Sequence, residues 1–196
     1  MSRYDGRTAL VVVDLQNDFA DVAGSLSVSG GETIVPLINA AVRDALEAGA
    51  LVVATQDWHP ESTPHFARDG GAWPVHCVAG TWGAELHPAF DLPIDAPRVR
   101  KGSNGEDGYS GFTMRDPTTD QETSTELESL LRVHGVERVV VCGLATDYCV
   151  KATALDAVRL GFAVSLLGEA VRAVNVAPQD GDRALAEMAE AGVIIV

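Results

Sequence analysis

The residues best placed to do covalent chemistry are Cys149, Asp14 and Lys101. Cys149 follows the apolar run Glu137 to Gly143 through Leu144 and Ala145, and falls where a helix running on to Leu160 should begin. Thr146 or Asp147 is a suitable N-cap for that helix. A thiol in a first turn feels the positive end of the helix dipole, which favours thiolate. The N–H groups of such a turn are free to bind a developing oxyanion. Asp14 closes the β-branched run Thr8 to Asp14, where a carboxylate could take a thiol proton and return it to a leaving amine. Lys101, after Val99-Arg100, could hold an ammonium between the two. Each residue also has a plainer reading: a buried structural thiol, a turn-capping Asp and a solvated surface lysine. For Cys149 alone the two readings stand level, and for Asp14 and Lys101 alone the plainer one is commoner. Cys142, inside an apolar strand, reads as structural, and Cys77 as a packing residue.

The histidines carry more information. Of five, His59, His65 and His76 fall within one short stretch, and Asp57 stands two residues before His59. On an extended segment Asp57 and His59 point to the same side. With His65 and His76 folded back, they make one carboxylate and three imidazoles, a set that suits a divalent zinc, iron or manganese ion. His134, before Gly135, reads as a helix-end cap, and His87 has no evident partner. The segment Gly102 to Gly111 is glycine-rich but lacks a Gly-Lys-Ser/Thr ending and carries Glu106 and Asp107, so it is not a phosphate loop.

These residues need a scaffold that brings them together. The 196-residue chain has the length of one domain, taken as residues 1–196. It is 46% hydrophobic and 21% charged, as globular proteins are. Strands are expected at Thr8 to Asp14, Leu51 to Thr55, Arg98 to Lys101, Glu137 to Gly143, Phe162 to Leu167 and Gly192 to Val196. Helices are expected over Glu32 to Ala48, Asp147 to Leu160 and Ala184 to Ala191. Such alternation predicts an α/β fold with a mostly parallel sheet and helices on both faces. The stretch Gln56 to Pro97 breaks the rhythm, and a segment that long and irregular is expected to build a site. Asp14, Asp57, Lys101 and Cys149 all fall at predicted carboxyl ends of strands, where open α/β sheets bind ligands. A net charge of −14 argues against a nucleic-acid or acidic-membrane partner. No run is long and apolar enough to span a bilayer, and the start lacks an apolar leader, so a cytoplasmic location is expected. An odd number of cysteines, three, argues against a disulfide framework.

In order along the chain stand Val13-Asp14-Leu15-Gln16-Asn17-Asp18-Phe19, Gln56-Asp57-Trp58-His59, Trp73-Pro74-Val75-His76-Cys77, Lys101-Gly102, Tyr109-Ser110-Gly111-Phe112 and Gly143-Leu144-Ala145-Thr146-Asp147-Tyr148-Cys149. Together these motifs resemble the nicotinamidase/pyrazinamidase branch of the isochorismatase-like cysteine hydrolases, through nearly the whole chain. The resemblance implies a three-layer α/β/α sandwich around a six-stranded parallel sheet. It implies hydrolysis of nicotinamide to nicotinate and ammonia, with pyrazinamide as a further substrate and NAD salvage as the route. The catalytic triad would be Asp14, Lys101 and Cys149, and the ligands of one divalent metal ion Asp57, His59, His65 and His76. Ala145 and Cys149 would supply oxyanion N–H groups beyond a cis peptide at Leu144-Ala145. Phe19, Trp73, Tyr109, Leu144 and Ala145 would contact the substrate, a small amide, and the chain could form a homo-oligomer. Tyr148 stands where some relatives carry His, and Ser103 to Gly108 lies in a more variable part of the family. An amidohydrolase acting on a ureido, carbamoyl or other small amide is the alternative. It would keep the triad without needing the histidine set, which the isochorismatase branch proper also lacks.

Overall fold

The computed structural model describes residues 3–196. Its main sheet has six parallel strands in the order β3-β2-β1-β6-β7-β8. These are β1 (Thr8–Val13), β2 (Leu51–Asp57), β3 (Arg98–Lys101), β6 (Arg138–Leu144), β7 (Ala163–Arg172) and β8 (Ile194–Ile195). A separate antiparallel pair, β4 (Thr113–Arg115) and β5 (Glu122–Ser124), lies outside it. The helices are α1 (Asn17–Ala20), α2 (Val35–Glu47), α3 (Leu127–Val133), α4 (Lys151–Arg159) and α5 (Asp180–Glu190).

β1 is buried along its whole length, as expected for a central parallel strand built of TALVVV. The period of two sorts its side chains: Leu10 and Val12 enter one core, and Ala9, Val11 and Val13 the other. The first core is closed by Phe19 of α1 and by Ile38, Ala41, Val42 and Ala45 of α2. Those α2 residues recur at the helical spacing of one apolar stripe. The second core is closed by Leu127 and Leu131 of α3, Ala154 and Ala157 of α4, and Met188 of α5. The result is a three-layer α/β/α sandwich. Each fully buried Val or Leu contributes roughly 1.5–3 kcal/mol, so both faces stabilise the sheet.

Several boundaries differ from expectation. β2 runs on to Asp57, and β7 to Arg172, past a register shift against β6. α5 starts at Asp180 rather than Ala184, with Asp180 and Asp182 in its first turn, where acids suit the dipole. The expected helix Asp147 to Leu160 is two pieces. A wide π-turn over Thr146–Val150, closed by a Val150 N–H bond to the Ala145 carbonyl, precedes α4. Neither Thr146 nor Asp147 caps it. The Asp147 carboxylate instead accepts the N–H groups of Val174 and Asn175, at 2.9 and 2.8 Å, beyond the end of β7. His134 does stand at the end of α3, with Nδ1 2.9 Å from the Leu130 carbonyl. Gly143 at the end of β6 has φ +114, and a Cβ there would lie 2.1 Å from the Val13 carbonyl oxygen. Only glycine lets β6 approach β1 that closely.

Candidate active site

Four neighbouring strands, β3, β2, β1 and β6, end on one edge of the sheet and deliver Lys101, Asp57, Asp14 and the Leu144–Cys149 turn. Asp14 follows β1 with φ +46, a left-handed conformation, and is fully buried. The Thr55 hydroxyl of β2 donates to Asp14 Oδ1 at 2.6 Å and accepts the Asp14 N–H at 3.2 Å. Lys101 is 1% exposed, the opposite of a surface lysine. Its Nζ lies 2.9 Å from Asp14 Oδ2 and 3.6 Å from Cys149 Sγ, and it also pairs with Asp57 Oδ1. Asp14, Asp57 and Cys149 each bring an acidic atom within 4.8 Å of the others.

Burial dominates the protonation of this cluster. It pushes the Cys149 thiol well above its usual range, more than the Lys101 ammonium pulls it down. Burial therefore opposes the pull of the turn and of Lys101 toward thiolate, and a thiol held this way calls for a base such as Asp14. Burial likewise raises Asp14 above the ordinary carboxylate range against the pull of Lys101. Desolvation would strip Lys101 of its proton, but Asp14 and Asp57 outweigh it and hold the ammonium charged. Asp57 is buried too, yet Lys101 and the neighbouring histidines keep it ionised far below the usual range.

On the other side of Asp57, the irregular stretch after β2 folds back as three imidazoles. His59, His65 and His76 ring centroids are 4.9–5.3 Å apart. Each ring offers a nitrogen within 4.8 Å of the others, close to what bonds of about 2.0–2.2 Å to a common ion require. Asp57 Oδ2 lies 3.8 Å from both His59 Nε2 and His76 Nε2. Among the described residues neither buried His59 ring nitrogen has a hydrogen-bond partner, a costly arrangement unless something takes the lone pair. His76 donates its Nδ1 hydrogen to the Pro74 carbonyl at 2.7 Å, leaving Nε2 as a lone pair. Burial pushes the His76 pKa down to about 4, so that ring is neutral at pH 7. Gly102, with φ +81, backs His59, since a Cβ there would lie 2.7 Å from Nδ1. This donor set fits a divalent cation.

A cavity opens over Cys149, Asp57, His65 and His76, with Phe19, Trp73, Tyr109 and Ala145 in its wall. The Leu144–Ala145 bond is cis. Leu144 itself requires correction as a substrate contact: it is fully buried and packs in the first core with Val140 and Cys142, its period-two neighbours on β6. Tyr148 was not anticipated in the wall, yet it lines the cavity and packs edge-on against Trp73 at 4.9 Å and Tyr109 at 5.3 Å. The Trp73 Nε1–H donates to the Tyr109 hydroxyl at 3.1 Å. Leu26, Val28 and Val174 also line it, from loops that carry no sequence signal for a pocket. Thr55 could have been found, because it stands two residues before Asp57 on the same strand face. Cys142 and Cys77 are fully buried packing residues.

A family model for the isochorismatase domain matches residues 8–196. The chain belongs to the isochorismatase-like hydrolases. Within that family it is 39% identical to a nicotinamidase of Escherichia coli (strain K12), over 95% of this chain and 93% of that relative. Its structure is similar to a pyrazinamidase of Pyrococcus horikoshii solved in complex with zinc, at 46% identity and a TM-score of 0.87, covering 97% of this chain and 98% of that one. It is also similar to the PnC1 protein of L. infantum in complex with nicotinate, at 38% identity and a TM-score of 0.88, covering 98% of this chain and 94% of that one. The nicotinamidase/pyrazinamidase branch is therefore this chain's place in the family.

Proposed function

We propose that the protein is a nicotinamidase, hydrolysing nicotinamide to nicotinate and ammonia, and that it also accepts pyrazinamide. The observation that carries this reading is one aromatic-walled cavity lined both by Cys149, which is in contact with Lys101 and its partner Asp14, and by His65 and His76 of the three-imidazole cluster. A simple amide hydrolase needs the first group only; a heteroaromatic amide gives the second a purpose.

Asp14 takes the Cys149 proton, and the thiolate attacks the amide carbonyl carbon, forming a C–S bond. The carbonyl electron pair moves onto oxygen, toward the N–H groups of Ala145 and Cys149. Loss of one such donor typically costs roughly 10²–10³ in rate. Asp14 returns the proton to nitrogen as the C–N bond breaks, releasing ammonia and leaving a thioester. Water then adds to the thioester with Asp14 as base, and cleavage of the C–S bond frees nicotinate and restores the thiol. Lys101 keeps Asp14 and Cys149 in register throughout and offsets the negative charge they share. Asp57, His59, His65 and His76 would hold a divalent zinc, iron or manganese ion, whose Lewis acidity anchors the ring nitrogen. Phe19 and Trp73 sandwich the ring and exclude water from its faces. We read the enzyme as cytoplasmic and part of NAD salvage, and its net charge of −14 supports small-molecule rather than nucleic-acid recognition.

Ammonia release from nicotinamide, measured before and after chelation, tests the proposal. Turnover that chelation removes and zinc, iron or manganese restores is the expected result. Absence of ammonia from a folded, metal-loaded sample, with release from a ureido or carbamoyl compound, would replace this reading with the alternative amidohydrolase.

A further inference from the structure

Of the three imidazoles, two are fixed by the chain around them. His59 is tied on both sides of its backbone, its N–H to the Cys77 carbonyl at 2.9 Å and its carbonyl to the Ala79 N–H at 2.8 Å, with Gly102 against the ring. His76 is fixed locally through Pro74. His65 differs. It sits in the irregular stretch after β2, and its ring is held from another part of the chain: Nδ1 lies 2.9 Å from Asp107 Oδ1.

We infer that Asp107 is a positioning residue of the metal centre, accepting the His65 Nδ1 hydrogen so that Nε2 is the nitrogen turned toward His59 and His76. This inference rests on the reading that the three imidazoles hold a divalent ion. An ionised carboxylate only accepts, so the ring nitrogen facing it must carry the hydrogen, which leaves the lone pair on the other nitrogen. Partners of this kind orient the ring and raise its basicity as a ligand. Asp107 is itself held in place. Its N–H donates to the Arg115 carbonyl at 2.7 Å, in an antiparallel bridge at the end of the β4–β5 pair, and the Gly108 N–H donates to Asp107 Oδ1 at 2.8 Å. The glycine-rich segment between Lys101 and Tyr109, with no phosphate to cradle, thus acquires a role. It lets a hairpin outside the main sheet reach His65 from a distant part of the chain.

The test is zinc affinity by chelator competition, with melting of the metal-free and zinc-loaded protein, for wild type, Asp107→Ala and Asp107→Asn. Asp107→Ala should weaken zinc binding by roughly 10–100-fold. Asp107→Asn keeps an acceptor oxygen and loses the charge, so its loss should be smaller but above twofold. Both variants should melt like wild type without metal and gain less from zinc. Zinc affinities within twofold of wild type in both variants would overturn the role. Equal losses in the two, tracking a lower metal-free melting temperature, would assign Asp107 to hairpin folding instead. A wild-type protein that binds no zinc, iron or manganese would overturn the metal reading itself.

Discussion

Burial and opposite charge act against each other at each titratable group around Lys101, and the balance assigns their tasks. Burial favours the protonated form of both Cys149 and Asp14, so the proposed mechanism relies on Asp14 as the base for the thiol. Cys149→Ala should abolish ammonia release while leaving the bound metal in place, read by metal content of the purified variant. Retained turnover would remove Cys149 as the nucleophile. Below its pKa Asp14 already carries a proton and cannot accept another, so kcat/KM should fall as pH falls through that value. Because the shift is upward, the acid limb should lie above 3.8, the ordinary value for Asp. A limb at or below 3.8 would show that Lys101 outweighs burial at Asp14. Thr55 deserves a place beside the triad, since its hydroxyl holds the left-handed Asp14 from both sides.

At the level of elements, the site depends on how strands end. β1 and β6 run side by side until Gly143 meets Val13, and beyond that pairing the chain turns through Ala145 into the π-turn that carries Cys149. Gly143→Ala would place a methyl group 2.1 Å from the Val13 carbonyl oxygen in a conformation that favours glycine. It should destabilise the fold by more than about 1 kcal/mol and lower kcat/KM as well, because β1 also carries Asp14. Urea unfolding midpoints and steady-state kinetics would check both effects. A variant with wild-type stability would mean that β6 can move away from β1 at little cost. Asp147 works at the same level. By accepting the Val174 and Asn175 N–H groups, it ties the turn that carries Cys149 to the segment that contributes Val174 to the cavity wall.

Across the molecule, two apolar cores hold the sheet from both faces, and a cluster of buried charge and imidazole sits at one edge of it. Such a cluster is costly unless an ion is shared: among the described residues neither buried His59 nitrogen has a hydrogen-bond partner, and the three rings crowd one another. An ion that binds the folded chain alone adds about 2.7 kcal/mol of stability at a concentration of 100 Kd. For a chain of this size that should raise Tm by roughly 5–10 °C. Calorimetry of chelated and reloaded protein would read this directly, and coincident transitions would argue that the imidazoles hold no ion.

The layered α/β class and most strand positions were legible from local pattern, because an apolar β-branched run can bury itself only in a sheet covered on both faces. The candidate site residues were legible from residue type at strand ends and from the family motifs, and the structure brings them together. Contacts between segments distant in sequence were not legible. Lys101 is commonly a surface residue, and nothing local reveals that three acidic partners surround it. Likewise alternation on β6 turns Leu144, expected at the substrate, into the core, and the wide turn brings Tyr148, for which no place was expected, into the cavity wall. Asp107 is silent in the sequence for the same reason, since its meaning depends on a hairpin folding back over His65. Local propensity selects the elements and their order. The protonation state and aim of each reactive group arise from desolvation and long-range pairing, which exist only once the chain has closed around them.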